Sequence, residues 1–376
     1  MSDQYEERSS ELKAALDYTS RTVGKGSQTR AFQEVMYGLD TMPGQGAGLP
    51  KNTDTQGLVF FTRPTMNLSY DNLALDRRLS PLMTNDPQTY PFMIRSLLDP
   101  YAARDRESPF VDANNVFMPI LSNTLISKSG WPDVVGDTYT ASEGAQKESW
   151  AMFDGSSHNR EAWDANMTFR NIQGDPITLL MLTWIIYGTG VYQGDLLPYT
   201  RMLFENRIDY YTGIYRLVLS SDGRFVTKIA RTIGFPYAIS LGAAFNYQAD
   251  QFLNGDNDTI SVPFKCIGAE YQDPILVHEF NHVMNMTNPD MRANRCIKLS
   301  KAERPLFRRL AYPKINVETL ELEWYVPEGL YDVIAQELMG GGEPPAPPNP
   351  RRGDGPIIRI TPSDPNKAPD DLSGYI

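Results

Sequence analysis

Two strand-like runs joined by Asp222-Gly223 constrain the fold of this chain more than any other feature of the sequence. Residues 214–229 read IYRLVLSSDGRFVTKI, so β-branched and aromatic side chains flank the Asp-Gly pair on both sides. An Asp-Gly pair between such runs is the strongest short-range signal for a β-hairpin, and a two-residue type I′ turn needs a positive φ at both positions. The sequence therefore predicts an antiparallel hairpin with its turn at Asp222 and Gly223.

Further strand signals surround this hairpin. Residues 57–64 read GLVFFTRP, a β-branched and aromatic run closed by a proline. Every second residue from Trp163 to Phe169 is apolar, which is typical of a strand with one buried face. Residues 244–247 and 259–266 are two more strand-like runs. These segments together predict a β-rich core.

An apolar segment between the strands predicts a buried helix. Residues 177–192 read ITLLMLTWIIYGTGVY and follow Asp175-Pro176, so the proline falls at the first helical position and Gly188 near the exit. Leu180, Trp184 and Tyr187 then share one face. The segment is shorter than the roughly 20 apolar residues that span a bilayer. A sheet with one helix packed on it is the layer architecture that this order favours, which makes the predicted class α+β.

Composition and charge limit the classes of function. The chain has 376 residues and a net charge of −11, so the whole molecule gives no electrostatic support to binding nucleic acid, and no specific nucleic-acid sequence is expected as a partner. Its two cysteines, Cys266 and Cys296, form no disulfide framework and no CxxC metal motif, which favours folding in a reducing cytoplasm. The N-terminal residues lack the features of a signal peptide.

A zinc-protease signature has to be weighed, because residues 278–282 read HEFNH. On a helix His278 and His282 lie on one face and could bind one Zn²⁺, while Glu279 activates water as a general base. A catalytic zinc needs a third protein ligand; the only other histidine, His158, does not lie downstream, so a carboxylate would have to serve, at a position near Glu303. The alternative is that both histidines are ordinary helix residues. We predict no catalytic, cofactor-binding or metal residues and no cofactor, and keep the zinc metallopeptidase as an alternative.

Composition shifts divide the chain into five predicted parts. The last of them is rich in proline and glycine, which disfavour helix and central strands, so we expect an extended segment that is either a disordered tail or an arm that orders against a neighbouring subunit. The parts are an N-terminal helical lead with a Gly/Pro linker at 1–56, a first strand with a mixed helical and irregular insert at 57–150, a β-rich core with the buried helix at 151–290, a mixed segment at 291–339 and the arm at 340–376.

Several of these motifs together resemble virion structural proteins of large contractile-tailed bacteriophages, of the tail tube-like and baseplate kinds. The resemblance covers about residues 57–285. The motifs are Phe60-Phe61-Thr62-Arg63-Pro64 with Asn67-Leu68, Met167-Thr168-Phe169, the helix with Trp184 and Tyr187, Gly194, the strand from Tyr211 to Ile214 before Asp222-Gly223, Gly234-Phe235-Pro236, Val262-Pro263-Phe264, the run from Tyr271 to Leu276 and Glu279-Phe280-Asn281.

The resemblance implies a fold and a role. The implied fold is a tail-tube-like antiparallel β-sandwich with a flanking buried helix, and the implied role is non-enzymatic, in a tail tube, a tube-initiating ring or a baseplate. A neck or head-to-tail connector is a further alternative. The implied partners are copies of the chain in a ring and other tail or baseplate proteins, without a membrane span. The implied location is the virion, assembled in the host cytoplasm.

Overall fold

A computed structural model describes residues 52–101, 108–155, 159–245, 258–307 and 309–340. It confirms the predicted α+β class. Packing divides the chain into two compact units, Met1–Val326 and Pro327–Ile376. In the second unit the described residues form one helix, Glu328–Gly340. The five-part division of the sequence stays a prediction, and most of the N-terminal lead, His158 and the proline-rich arm lie outside the described residues.

The described residues contain eleven strands in three sheets. The largest sheet has six strands in the order β1-β6-β7-β8-β5-β2, a second sheet has the order β10-β11-β9, and β3 pairs with β4. The strands are β1 (Thr55–Phe61), β2 (Leu125–Ser129), β3 (Thr138–Thr140), β4 (Ala151–Phe153), β5 (Asn159–Arg170), β6 (Thr212–Leu219), β7 (Val226–Pro236), β8 (Thr259–Tyr271), β9 (Cys296–Lys298), β10 (Tyr312–Ile315) and β11 (Leu322–Pro327).

Helices connect and cover these sheets. The α-helices are α1 (Tyr70–Leu73), α2 (Tyr90–Leu98), α3 (Pro119–Thr124), α4 (Pro176–Gln193), α5 (Thr200–Phe204), α6 (Ile275–Thr287), α7 (Pro289–Arg292) and α8 (Glu328–Gly340), with 3-10 helices at Arg77–Met83 and Gly242–Phe245. Several of the short helices lie between residues 57 and 150, but this part of the chain also contains β2 and β3, which the prediction of a helical and irregular insert omits.

The first core lies on the face of the six-stranded sheet that α4 covers. Successive residues of a strand point to opposite faces, so Phe61 enters this core while its neighbour Phe60 enters another. The ring of Phe61 lies 6.2 Å from that of Phe169 on β5, although β1 and β5 are four places apart in the sheet. The sheet is therefore curled around this core.

The second core lies on the opposite face of the sheet. Phe60 on β1 and Tyr215 on β6 pack there against Phe280 of α6, with ring centroids 5.3 and 5.5 Å from that of Phe280. Ile315 of β10 and Leu322 of β11 belong to the same core. Helix α6 and the three-stranded sheet thus form the second layer that the predicted sandwich required.

The predicted hairpin is confirmed as β6 and β7, but its predicted turn is wrong. The strands end at Leu219 and begin again at Val226, so the connection has six residues rather than two. Only Gly223 of the Asp-Gly pair has a positive φ, of 68°. Asp222 instead accepts hydrogen bonds from the Ser220 hydroxyl and the Arg224 amide. Local side-chain hydrogen bonding of this kind stabilises a longer turn.

The other predicted elements are recovered with shifted ends. The buried helix begins at Pro176 as expected and continues past Gly188 to Gln193, ending at Gly194 with φ of 82°. Its predicted inner face is fully buried. The strand predicted at 244–247 is wrong for its first two residues, which belong to a 3-10 helix, and its last two lie outside the described residues.

Candidate functional site

The HEFNH segment lies on α6, whose position is fixed by its apolar side. Leu276, Phe280 and Met284 face the second core at helical spacing, so the helix is an amphipathic element of the fold. His278 and His282 are outside this stripe, with His278 half-buried and His282 exposed. The Nε2 atom of His278 is buried and finds no hydrogen-bond partner within the described part of the chain.

Glu279, the general base of the peptidase alternative, is held in an ion pair. Its Oε1 lies 2.9 Å from Nη2 of Arg231 on β7, and a second carboxylate, that of Glu270, lies 3.3 Å from Nη1 of the same guanidinium. Burial raises the pKa of the Glu279 carboxyl, and the charge of Arg231 acts in the opposite direction. An arginine that bridges two carboxylates joins helix α6 to β7 and β8, which gives this glutamate a structural task.

The histidine pair lacks a third ligand in the described ranges. Residues 52–101, 108–155, 159–245, 258–307 and 309–340 contain no group of three or more His, Cys, Asp and Glu side chains able to hold a metal ion. Glu303 uses its Oε2 to accept a hydrogen bond from the Ser300 amide at 2.8 Å. His158 lies outside these ranges. The peptidase alternative therefore stays without geometric support, and the absence of catalytic residues stays a prediction.

A cluster of charges on the three-stranded sheet also has a structural explanation. Arg224 Nε donates to Glu321 Oε1 at 2.8 Å, and Lys298 Nζ donates to Glu323 Oε1 at 2.6 Å. The hydrogen bond from Arg224 lowers the pKa of Glu321. For Glu323, burial raises the pKa, but hydrogen bonds from neighbours led by Lys298 outweigh it and the net shift is downward. Both carboxylates are thus held ionised by fixed cations.

The two edges of the six-stranded sheet, β1 and β2, are the first candidate assembly surface. Every neighbouring pair of strands is antiparallel, so β1 and β2 run in opposite directions. Met118 N donates to Phe61 O, which covers the last residue of the β1 edge. Leu58 on β1 and Ile126 on β2 are large apolar residues with 37% and 52% of their surface exposed. A long apolar edge without a partner is a template for adding another strand.

Two exposed apolar surfaces are the second candidate. The exposed hairpin, β3 with β4, carries Tyr139, Trp150 and Met152 on one face. The Phe204 surface is the name used here for five exposed apolar residues of the segment 192–208 around α5: Tyr192, Leu197, Leu203, Phe204 and Ile208. Where exposed apolar residues form a contiguous patch, they mark an interaction site.

The predicted helical and irregular insert at 57–150 does not include the exposed hairpin. The signal that could have found it is weak but present. Tyr139 precedes Gly144, while Trp150 and Met152 follow it at a spacing of two, as in two short strands with one common face. The Phe204 surface has no such pattern, because its residues lie on a helix end, a loop and a short helix.

No helix in the described part of the chain combines the length and apolarity needed to cross a bilayer. The sequence profile of a protein family described as "Putative phage tail tube protein" matches residues 3–339. No curated protein sequence matches the chain significantly. The family match spans the six-stranded sheet, both cores, the exposed hairpin and the Phe204 surface.

Proposed function

Because the chain belongs to this family of phage tail tube proteins, we propose that its copies assemble into rings, and that these rings form the tube of a phage tail. Membership makes the chain a structural component of the virion. The tube, rather than a tube-initiating ring, a baseplate or a neck connector, is the component that the family supports best. We further propose that the tail is contractile and that the chain assembles in the host cytoplasm, and the support for both is the sequence resemblance.

The observation that carries the proposal of rings is the direction of the two edge strands. Six antiparallel strands place β1 and β2 in opposite directions, so β2 of one copy can pair antiparallel with β1 of the next copy. Such a contact joins two different surfaces, and repeated by rotation it closes into a ring. Main-chain hydrogen bonds between added strands supply affinity, and exposed Leu58 and Ile126 would be buried.

The backbone of β1 shows which amide such pairing would use. Thr62 N donates to Gly213 O on β6, so Thr62 occupies a hydrogen-bonded position of the ladder. Along an edge strand, the main-chain N–H and C=O groups of alternate residues point toward the paired strand or away from it. Those of Val59 and Phe61 therefore point away from β6. The Phe61 carbonyl does accept from Met118 N on that side. Val59 is therefore expected to offer its N–H to the neighbouring copy.

Replacing Val59 with proline tests ring formation. Since the Val59 N–H points away from β6, proline at this position removes the outward donor and leaves the hydrogen bonds to β6 in place. Proline is tolerated on edge strands for this reason. We expect Val59→Pro to fold, judged by circular dichroism and thermal melting, and to form no rings or tubes in electron micrographs of concentrated protein. Val59→Ala keeps the N–H while trimming the side chain, so it is the matched control and should assemble.

A second edge variant covers the case in which Val59→Pro fails to fold. Ile126→Lys places a charge on the exposed edge of β2, where it does not disturb the core. Ring formation at wild-type yield by both edge variants would contradict the edge-pairing proposal.

Micrographs of the wild-type chain distinguish a tube protein from a tube-initiating ring. A tube protein forms tubes of many lengths, whereas a tube-initiating ring stops at one or a few layers.

A further inference from the structure

A buried amine without an acceptor lies where strand β2 borders the first core. Lys128 on β2 pairs with Met167 on β5, and residues directly opposite in an antiparallel ladder point to the same face of the sheet. Met167 belongs to the first core, so the side chain of Lys128 points to that side. Its Nζ atom is buried and finds no hydrogen-bond partner among the residues that the structure describes. A charged amine in such a place costs free energy unless an anion compensates it.

A second cation, Arg216 on β6, lies on the same face of the sheet. Arg216 pairs with Val59 on β1, and Val59 packs against the first core. The described hydrogen bonds of its guanidinium all end on uncharged oxygens, those of Leu58, Leu217 and Gln56. The curl of the sheet brings the charge of Arg216 to bear on Lys128, although β6 and β2 are four places apart in the strand order. Two cations thus share this end of the core.

The surroundings of Lys128 favour the uncharged form of its amine. Burial lowers the pKa of Lys128 to about 7; the Cys266 thiol opposes this shift, and the charge of Arg216 adds to it. Cys266 supplies no negative charge at neutral pH, because burial raises the pKa of this thiol to about 11. A lysine that is desolvated beside another cation is an activated nucleophile, since much of it carries a free electron pair near neutral pH.

Aromatic rings restrict which molecules can reach this amine. The ring centroid of Trp131 lies 4.1 Å from Nζ of Lys128, and the same ring packs against Trp163 on β5 and Tyr271 on β8, with centroids 5.2 and 5.7 Å away. A bulky or charged electrophile is therefore excluded. A small uncharged molecule can enter through local opening of β2, which is a short strand at the edge of the sheet. Carbon dioxide is a small uncharged electrophile that reacts with neutral amines.

We propose that Lys128 is a modification site, where its buried amine reacts reversibly with dissolved carbon dioxide to form a carbamate that pairs with Arg216. The nitrogen forms a bond to the carbon of carbon dioxide, one C=O electron pair moves to oxygen, and the nitrogen releases a proton to water. The product is an anion, so it neutralises the Arg216 charge and accepts charge-assisted hydrogen bonds from the guanidinium. The pair would tie β2 to β6 across the first core. This inference concerns the single chain and goes beyond the proposed function.

Chemical trapping of the full-length chain in carbon-13 bicarbonate at pH 8 tests the proposal. A trialkyloxonium salt converts a carbamate into a stable ester, and peptide mass spectrometry then locates the carbon-13 label. We expect at least about tenfold more label on Lys128 than on Lys147, which is exposed and so lacks the burial that activates an amine. Arg216→Gln should lower the label on Lys128 several-fold, and Arg216→Lys should restore part of it. Lowering the pH to 6 should remove the label, because the amine then takes up a proton.

Thermal melting gives a second readout that needs no trapping reagent. A carbamate formed only in the folded chain stabilises that chain by mass action, so bicarbonate should raise the melting temperature of the wild type above that in sodium chloride of equal ionic strength. Lys128→Met should show no such rise.

The outcomes that would overturn the proposal are distinct. Equal label on Lys128 and Lys147, or the same label on Lys128 when the chain is unfolded in urea, would show the ordinary reactivity of lysine. A bicarbonate-dependent rise in melting temperature without label on Lys128 would mean that bicarbonate binds as an ion, with no carbamate. Neither readout depends on ring formation, so failure here would leave the proposed function standing.

Discussion

Two glycines of this fold have almost the same left-handed backbone conformation, but only one of them is also closely packed against neighbouring backbone. Gly57 in β1 has φ of 65° and Gly223 in the β6–β7 turn has φ of 68°. A Cβ at Gly57 would lie 2.0 Å from the carbonyl oxygen of Leu217, which is backbone and cannot move aside cheaply, whereas a Cβ at Gly223 meets no described atom within 4 Å. The bulge at Gly57 thus brings β1 close to β6 in a way that only glycine allows.

We therefore expect the two alanine variants to differ clearly in stability. Gly223→Ala should cost about 1–2 kcal/mol in the free energy of unfolding, the strain of a left-handed residue with a Cβ. Gly57→Ala carries the same strain and a backbone clash, and should cost on the order of 3 kcal/mol or more. Urea denaturation of both variants measures the difference. Equal losses would mean that the bulge at Gly57 relaxes freely.

The same two positions show what a sequence reveals at the residue scale. The Asp222-Gly223 pair correctly located the hairpin, because turn residues act over a few neighbours. It did not reveal the turn type, which depends on the Ser220 hydroxyl beside Asp222. Gly57 read as the first residue of a strand, since the carbonyl of Leu217 that excludes a side chain lies far away in sequence.

At the scale of elements, the strand β2 carries a lysine in an unusual setting. Nζ of Lys128 is buried, although the side chain as a whole is only half-buried, and it finds no hydrogen-bond acceptor among the described residues. It lies 4.1 Å from the ring centroid of Trp131 at the base of the exposed hairpin. Burial lowers the pKa of Lys128 to about 7; the Cys266 thiol opposes this shift and Arg216 adds to it.

This shift has a defined consequence for stability. An unfolded lysine has a pKa of about 10.4, so the folded chain holds fewer protons than the unfolded chain between about pH 7 and 10 and becomes more stable as the pH rises through that window. Lys128→Met keeps the length of the side chain and removes the buried amine. We expect it to stabilise the fold by about 1–3 kcal/mol at pH 6, and by less at pH 9.5.

Thermal melting of Lys128→Met and the wild type across this pH range provides the measurement. Lys147→Met, which removes an exposed lysine between β3 and β4, is the matched control and should leave the pH dependence unchanged. A stabilisation that stays constant from pH 6 to pH 9.5 would show that Lys128 does not titrate in this window. Contact with Trp131 offsets part of the cost of burying the charged form.

Elements whose apolar residues recur at a regular spacing were predictable from sequence. Features that depend on contacts between segments far apart in the sequence were not. The inner face of α4, with Leu180, Trp184 and Tyr187, follows from helical spacing and is buried as expected. Pairing of β5 with β8 and of β1 with β6 joins segments about a hundred or more residues apart, so the strand order had no local signal. The HEFNH segment matched a local pattern, yet Arg231 on a distant strand holds Glu279.

For the whole molecule, the resemblance noted in the sequence and the family match agree on a phage tail protein. The match ends at residue 339, immediately before the proline-rich arm at 340–376. The sheet edges, the exposed hairpin and the Phe204 surface all precede that point. Ring formation is therefore expected to depend on residues before 340, and the arm is expected to add a contact with a neighbouring copy.

Deleting residues 340–376 separates these two contributions. The segment contains few large apolar residues, so its loss should leave the melting temperature of the unassembled chain unchanged within about 1–2 °C. Rings should still form through β1 and β2. An arm that holds a neighbour would add main-chain hydrogen bonds and bury Ile357, Ile358 and Ile360. When the protein is diluted, tubes of the truncated chain should therefore dissociate at a higher protein concentration than wild-type tubes do.

The readout is tube length in micrographs over a dilution series, with Ile357→Ser and Ile358→Ser in the full-length chain as a milder variant. Tubes that survive dilution as well as the wild type would make the arm a passive extension, while the edge-pairing proposal would stand.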